Sequence, residues 1–333
     1  MPLRHTAGEA CSNADRNRPG VKRAIAILLS AALFVWLASD GRWRALAATF
    51  SQLSAGVVAL AAAGFVCSYL LRALRVFDEF RRDAEGRFSA CLRIVLIHNA
   101  MVNVVPFRGG EAAFPLLLRQ SFGTPLPRAI ASLFWFRLQD ALVVGLVAAT
   151  VWPGVPWMLR AAGALALLGF ALALPRWARA HHDWAERGPF AAKLGKLRDA
   201  LAESTRHARF GWLWTVSNWS VKLAAQSVLL AALLNATLAT GAAGALGAEL
   251  ASILPIQGVA GFGTYEAGAA AALVPAGVDF ETGLRAALAL HIFVIGCALA
   301  AGALAALLIA APPGAVGQST PHADESSGSS SHS

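Results

Sequence analysis

The sequence predicts an all-α integral membrane protein with six full spans and two re-entrant helical hairpins, arranged as an inverted-topology repeat. Three observations predict it: a composition too apolar for water, apolar runs of membrane length, and basic residues gathered on one side. Of 333 residues, 57% are hydrophobic and 14% charged, and the mean hydropathy is +0.56. A soluble domain carries about 25% charged residues because its surface meets water. Length alone would permit two soluble domains; the apolar runs exclude them.

A hydrocarbon core of ~30 Å takes about 20 apolar residues in a helix. Full spans are expected at 24–39, 55–71, 128–151, 156–174, 212–235 and 283–311. The first is short enough to resemble a signal-peptide core, but Trp36–Leu37–Ala38 at its end puts Trp at the −3 position of a cleavage site. It is therefore read as a retained span. The polar ends, 1–21 and 312–333, are expected to be disordered tails around a membrane domain at 22–311.

The net charge of +9 follows from topology. With the N-terminus in the cytoplasm, the segments between spans place 21 of the 28 Lys and Arg residues inside, and only Arg42, Arg44 and Arg160 outside. That is the positive-inside asymmetry, and it predicts a multi-pass protein of the cytoplasmic (inner) membrane with both termini cytoplasmic. No nucleic-acid partner is needed to explain the charge. Cys11, Cys67, Cys91 and Cys297 form no CxxC pair, so neither a disulfide nor a metal site is expected, and no cofactor motif is present. In the 175–211 connection, Phe190, Leu194, Leu197 and Leu201 share one helix face. Such a basic amphipathic helix lies either on anionic headgroups or on the bundle.

Two stretches are apolar yet broken. The first, 90–123, holds His98, Asn99, Asn103, Pro106, Arg108, Gly109, Gly110 and Glu111. The second, 243–274, holds Glu249, Pro255, Gly258, Gly261, Gly263 and Glu266. Each reads as two short helices joined at a Pro/Gly apex that ends in Glu. The flanks of the first are basic, and those of the second (236–242 and 276–282) lack Lys and Arg. Each stretch must then leave from the face it entered, and the two enter from opposite faces. Two spans, a hairpin and a span, taken twice with opposite starting sides, make the inverted repeat; discontinuous segments in matching positions point to a midplane binding site. The alternative is eight transmembrane helices.

Ionisable residues within the spans are costly and mark candidate function. Arg137 and Asp140, three apart on one helix, can pair. Lys222 lies mid-span and calls for a carboxylate or a lipid phosphate. Arg108 and Glu111 occupy the first apex, and Glu266 follows the second. The apex glycines, Gly109, Gly110, Gly258, Gly261 and Gly263, either let the backbone approach a ligand or only allow tight packing. The expected substrate-binding set is Arg108, Glu111, Arg137, Asp140, Lys222 and Glu266, with Pro106 and Pro255 shaping the apices.

Through Asn103-Val-Val-Pro106-Phe-Arg108-Gly-Gly-Glu111, Arg137-Leu-Gln-Asp140 and Leu254-Pro255 through Gly263-Thr-Tyr-Glu266, the chain resembles the flippase-like transmembrane domain of lysylphosphatidylglycerol synthases. The resemblance spans about residues 22–311. It implies a lipid translocase fold with re-entrant helices, acting on an anionic or glycosylated membrane lipid, most simply one with a phosphate headgroup. The Pro255-to-Glu266 interval is longer than the family's compact form. No acyltransferase-like segment follows residue 311, so the membrane domain is expected to stand alone rather than form a whole synthase. A polytopic lipid-linked glycosyl or acyl transferase, and an accessory subunit of a lipid-synthesis complex, are the competing readings. A homo-oligomer or a lipid-synthesis enzyme is the expected protein partner.

Overall fold

A computed structural model of the protein describes residues 50–51, 53–105, 109–151, 155–180, 188–207, 209–253 and 259–309. The expected first span at 24–39 and both tails lie outside them. The described residues form helices and turns and no strand.

The first long helix, α1 (Ala55–Glu79), starts where the Ser54 side chain accepts the Val57 N–H, satisfying one of the free donors of the first turn. It continues eight residues past the expected end at 71. Its last two turns therefore contain Arg72 and Arg75, which the charge pattern alone assigns to a basic loop. A short turn of helix, α2 (Arg81–Ala84), leads through Glu85 in the left-handed region to α3 (Phe88–Val104). A 3₁₀ turn at Gly109–Ala112 precedes α4 (Ala113–Phe122), which stops at Gly123 with φ 68°. Then come two long helices, α5 (Leu126–Val151) and α6 (Trp157–Arg179).

The basic connection forms α7 (Pro189–His207). It packs on the bundle: Leu201, Ala202 and Ser204 are buried, and Ser204 Oγ meets Ser132 Oγ of α5 at 2.9 Å. Leu194, expected on the buried face, is exposed. The chain continues through α8 (Gly211–Leu234), α9 (Leu238–Ile253), a 3₁₀ turn at Val259–Gly261, α10 (Thr264–Leu273) and α11 (Phe280–Leu308).

Four of these helices, α1, α5, α6 and α11, are singly long and apolar enough to cross a membrane. The expected span at 212–235 is α8, which qualifies together with α9 across a 117° bend at Asn235. On α6 the apolar side chains Leu159, Leu165, Leu168, Phe170 and Leu172 point outward and are exposed. A face of that kind suits acyl chains, where apolar surface costs nothing to leave unburied.

Both broken stretches fold as pairs. In the second pair α9 and α10 touch backbone to backbone: a Cβ on Gly247 would overlap the Gly268 carbonyl, and one on Gly268 would reach it in return. Small residues of this kind let helices associate where no hydrophobic driving force separates helix from lipid. In the first pair a Cβ on Gly110 would overlap the Met101 carbonyl, so the 3₁₀ turn lies directly against α3.

Candidate functional site

Helices from both folded pairs, with α1, α5, α8 and α11, enclose a cavity of about 380 Å³. A larger recess of about 790 Å³ lies where α1 and α6 end beside α7. Its Arg198 is held by exposed Asp199 at 2.6 Å and its Arg179 by Thr205, which makes it a solvated charged surface. The central cavity is the stronger candidate because its ionisable groups are buried or half-buried, and burial of charge between membrane helices needs a reason.

Arg75 and Asp140 form a buried pair. Arg75 Nη1 donates to Asp140 Oδ1 at 2.7 Å, and Nη2 donates to the Phe136 carbonyl and to Gln139 Oε1, each at 2.8 Å. Asp140 also accepts the Trp219 indole N–H at 3.0 Å. A guanidinium can be desolvated when its fork is matched in this way.

Arg137 is turned elsewhere. Its guanidinium lies 2.8 Å from Glu111 and 3.8 Å from Asp140, so the expected Arg137–Asp140 pair is the looser contact and Arg75 is the tight partner of Asp140. Spacing along one helix could not reveal this, because Arg75 arrives from α1. His98 Nε2 lies 3.5 Å from both Glu111 and Arg137.

Lys222 does have the expected carboxylate: Glu249 of α9, at 2.8 Å. Its ammonium also lies 4.6 Å from the centre of the Trp219 ring, where the ring quadrupole attracts a cation. Glu249 accepts a second hydrogen bond from Gln226 at 2.6 Å.

Glu266 sits in the first turn of α10. One carboxylate oxygen accepts the Gly263 N–H at 2.7 Å, and the other lies 2.6 Å from His291 Nδ1 of α11. Gly261 (φ 85°) and Gly263 (φ 88°) adopt the left-handed backbone that glycine tolerates without cost, which brings Glu266 to the helix start. Each folded pair thus ends its break with a Glu: Glu111 before α4, Glu266 at the start of α10. Each Glu is held by a basic side chain of the next long helix: Arg137 of α5 and His291 of α11.

Arg72 differs from the other cations. Its Nη1 donates to Asn99 Oδ1 at 2.7 Å, and it forms no ion pair with a described carboxylate. It lines the cavity, as do Glu111, Arg137, Asp140, Lys222, Glu249 and His291.

Of the expected site residues, Glu111, Arg137, Asp140 and Lys222 line this cavity, and Glu266 stands just behind His291. Gly261 reaches the wall, and Gly109, Gly110 and Gly263 shape the turns. Pro106, Arg108, Pro255 and Gly258 lie outside the described residues. Sequence reasoning passed over Arg72, Arg75 and His291 and gave Glu249 no role. A signal for the first two existed: residues 72 and 75 continue the helical periodicity of the 55–71 run.

Residues 23–310 match the family described as the lysylphosphatidylglycerol synthase TM region. No curated protein and no solved structure matches the chain significantly. With that match over most of its length, on a helical framework with several membrane-length helices, the chain is a multi-pass membrane protein belonging to the lysylphosphatidylglycerol synthase TM-region family.

Proposed function

We propose that the protein is a lipid translocase of the cytoplasmic membrane, carrying the headgroup of an anionic or glycosylated lipid through the central cavity while the acyl chains stay in the bilayer. Arg72 is the observation that carries this reading. Among the described cations in or beside the cavity, Arg75, Arg137 and Lys222 each form an ion pair with a carboxylate, whereas Arg72 is hydrogen-bonded to an amide. A half-buried guanidinium that lines the cavity and forms no ion pair with a described carboxylate is suited to a phosphate, which its fork geometry matches. Asn99 beside it keeps a buried Nδ2 donor without a partner among the described residues.

The folded pairs support the same reading. Broken helices at membrane depth are tolerated where protein or a wet cavity satisfies the backbone, and here both breaks adjoin the cavity. In this reading they are re-entrant hairpins entering from opposite faces, related by an inverted repeat, and the matched ion pairs keep the remaining charges in place as the headgroup passes.

Mass spectrometry of lipids retained through mild purification tests the headgroup site. Phosphate-bearing lipids should be enriched over the bulk membrane and depleted from the Arg72→Gln protein at unchanged thermal stability. Retained lipids that lack a phosphate, or the same enrichment in the variant, contradict the proposal.

A further inference from the structure

The charges around the cavity are matched in number but not in position. Four cations, Arg72, Arg75, Arg137 and Lys222, accompany four carboxylates, Glu111, Asp140, Glu249 and Glu266. Three cation–carboxylate pairs form. That leaves Arg72 on Asn99 and Glu266 on a histidine. Arg108 lies outside the described residues and enters neither side.

His291 is held in a particular way. Its Nδ1 faces Glu266 Oε1 at 2.6 Å, and a carboxylate acceptor there selects the tautomer with the proton on Nδ1. The ring lies against Tyr265, centroids 4.3 Å apart, and against Phe262 at 4.8 Å. Its Nε2 makes no hydrogen bond to a described residue, and His291 lines the cavity. The lone pair of Nε2 is therefore available to whatever occupies that space. Imidazole is the side chain that ordinarily changes charge between pH 5 and 8.

We infer that His291, held by Glu266, is a proton-binding site of the cavity, and that arrival of an anionic headgroup at Arg72 is coupled to uptake of one proton at His291 Nε2. The inference rests on the reading of the cavity as a headgroup site. Arg72 and His291 line the same cavity, so a phosphate held there adds negative charge near an imidazole that already faces a carboxylate. A proton on Nε2 makes His291 and its carboxylate an ion pair. The proton comes from water, binds the Nε2 lone pair, breaks no other bond, and returns to water when the headgroup leaves.

No other group packed against α11 takes this part as directly. On α8 and α9, Lys222 and Glu249 neutralise each other. On α3, His98 already has Nε2 between Glu111 and Arg137, and Arg93 is bonded to the Ile309 carbonyl. On α1, Arg72 keeps its charge and Tyr69 is a phenol. On α11 itself, Glu281 and Arg285 pair in solvent, four residues apart.

Calorimetric titration of the detergent-solubilised protein with dihexanoylphosphatidylglycerol, repeated in buffers of different ionisation enthalpy, counts the protons taken up. The wild type should take up close to one proton per headgroup near pH 7. His291→Gln should bind about tenfold more weakly with no uptake. Glu266→Gln removes the charge that requires the proton, so it should bind at least as tightly as wild type, also without uptake. A purely structural pair would instead lose binding in both variants.

Wild-type binding without proton uptake between pH 6 and 8 overturns the inference and leaves the headgroup site standing. Uptake that persists in both variants also overturns it. Binding with uptake, but no lipid movement in vesicles, supports the proton site and defeats the translocase reading. Failure of the probe to bind at all overturns both.

Discussion

Arg75 and Arg137 flank the same carboxylate, yet the surroundings of each give them different work. Arg75 is buried with three acceptors, while Arg137 is about a third exposed and held mainly by Glu111. Breaking a buried pair strands the remaining charge and costs ~3–5 kcal/mol. Arg75→Gln should therefore lower thermal stability sharply, with part recovered by adding Asp140→Asn; a melt unchanged from wild type would contradict the assignment. Arg137→Gln should cost less, since Asp140 keeps Arg75. Arg72→Gln should leave the melt near wild type and weaken binding of a phosphate lipid about tenfold, as expected for losing one charged hydrogen bond. Glu111, Arg137, Asp140, Lys222 and Glu266 were legible in the sequence because charge within apolar sequence stands out. Arg72 and Arg75 were not, because they fall where the apolar run fades into a basic flank. Their burial is decided by helices that arrive from elsewhere in the chain. His291 carries no formal charge in a hydropathy reading, so its partner in space was the only sign of its role.

At the scale of elements, glycine decides how closely the folded pairs close. Gly247→Val would place side-chain atoms where the Gly268 backbone lies, so it should prevent α9 and α10 from pairing and abolish a cooperative melt. Gly296→Ala on α11, where a Cβ meets nothing within 4 Å, should be neutral or slightly stabilising by propensity. Comparable melts for the two would contradict the packing described. The existence of both broken stretches was legible from Pro, Gly and Glu inside apolar runs, while their internal packing was not. The end of α1 was misjudged by eight residues because hydropathy marks where a helix leaves lipid, not where its hydrogen bonds stop. Both surfaces open to α7 were consistent with its periodicity; Ser132, on α5, is part of what draws its second half onto the bundle.

For the whole molecule, the expected orientation rests on the distribution of charge. Moving Arg72 and Arg75 into α1 still leaves 19 basic residues on the expected inner side against three outside. A cysteine replacing Ala185 should accordingly be unreactive to a membrane-impermeant thiol reagent in intact cells and reactive after lysis. Strong labelling in intact cells would reverse the topology. The central claim is that the cavity passes a headgroup from one leaflet to the other, and it is tested most directly by movement of a fluorescent lipid. The purified protein would be placed in phosphatidylcholine vesicles containing phosphatidylglycerol labelled on its acyl chain, and dithionite would bleach the outer leaflet. The account predicts that wild-type protein exposes inner-leaflet probe to bleaching far faster than empty vesicles do. It further predicts that Arg72→Gln, folded and equally abundant, falls back toward the empty-vesicle rate. Wild-type vesicles that bleach no further than empty ones, or an Arg72→Gln protein as fast as wild type, would contradict it.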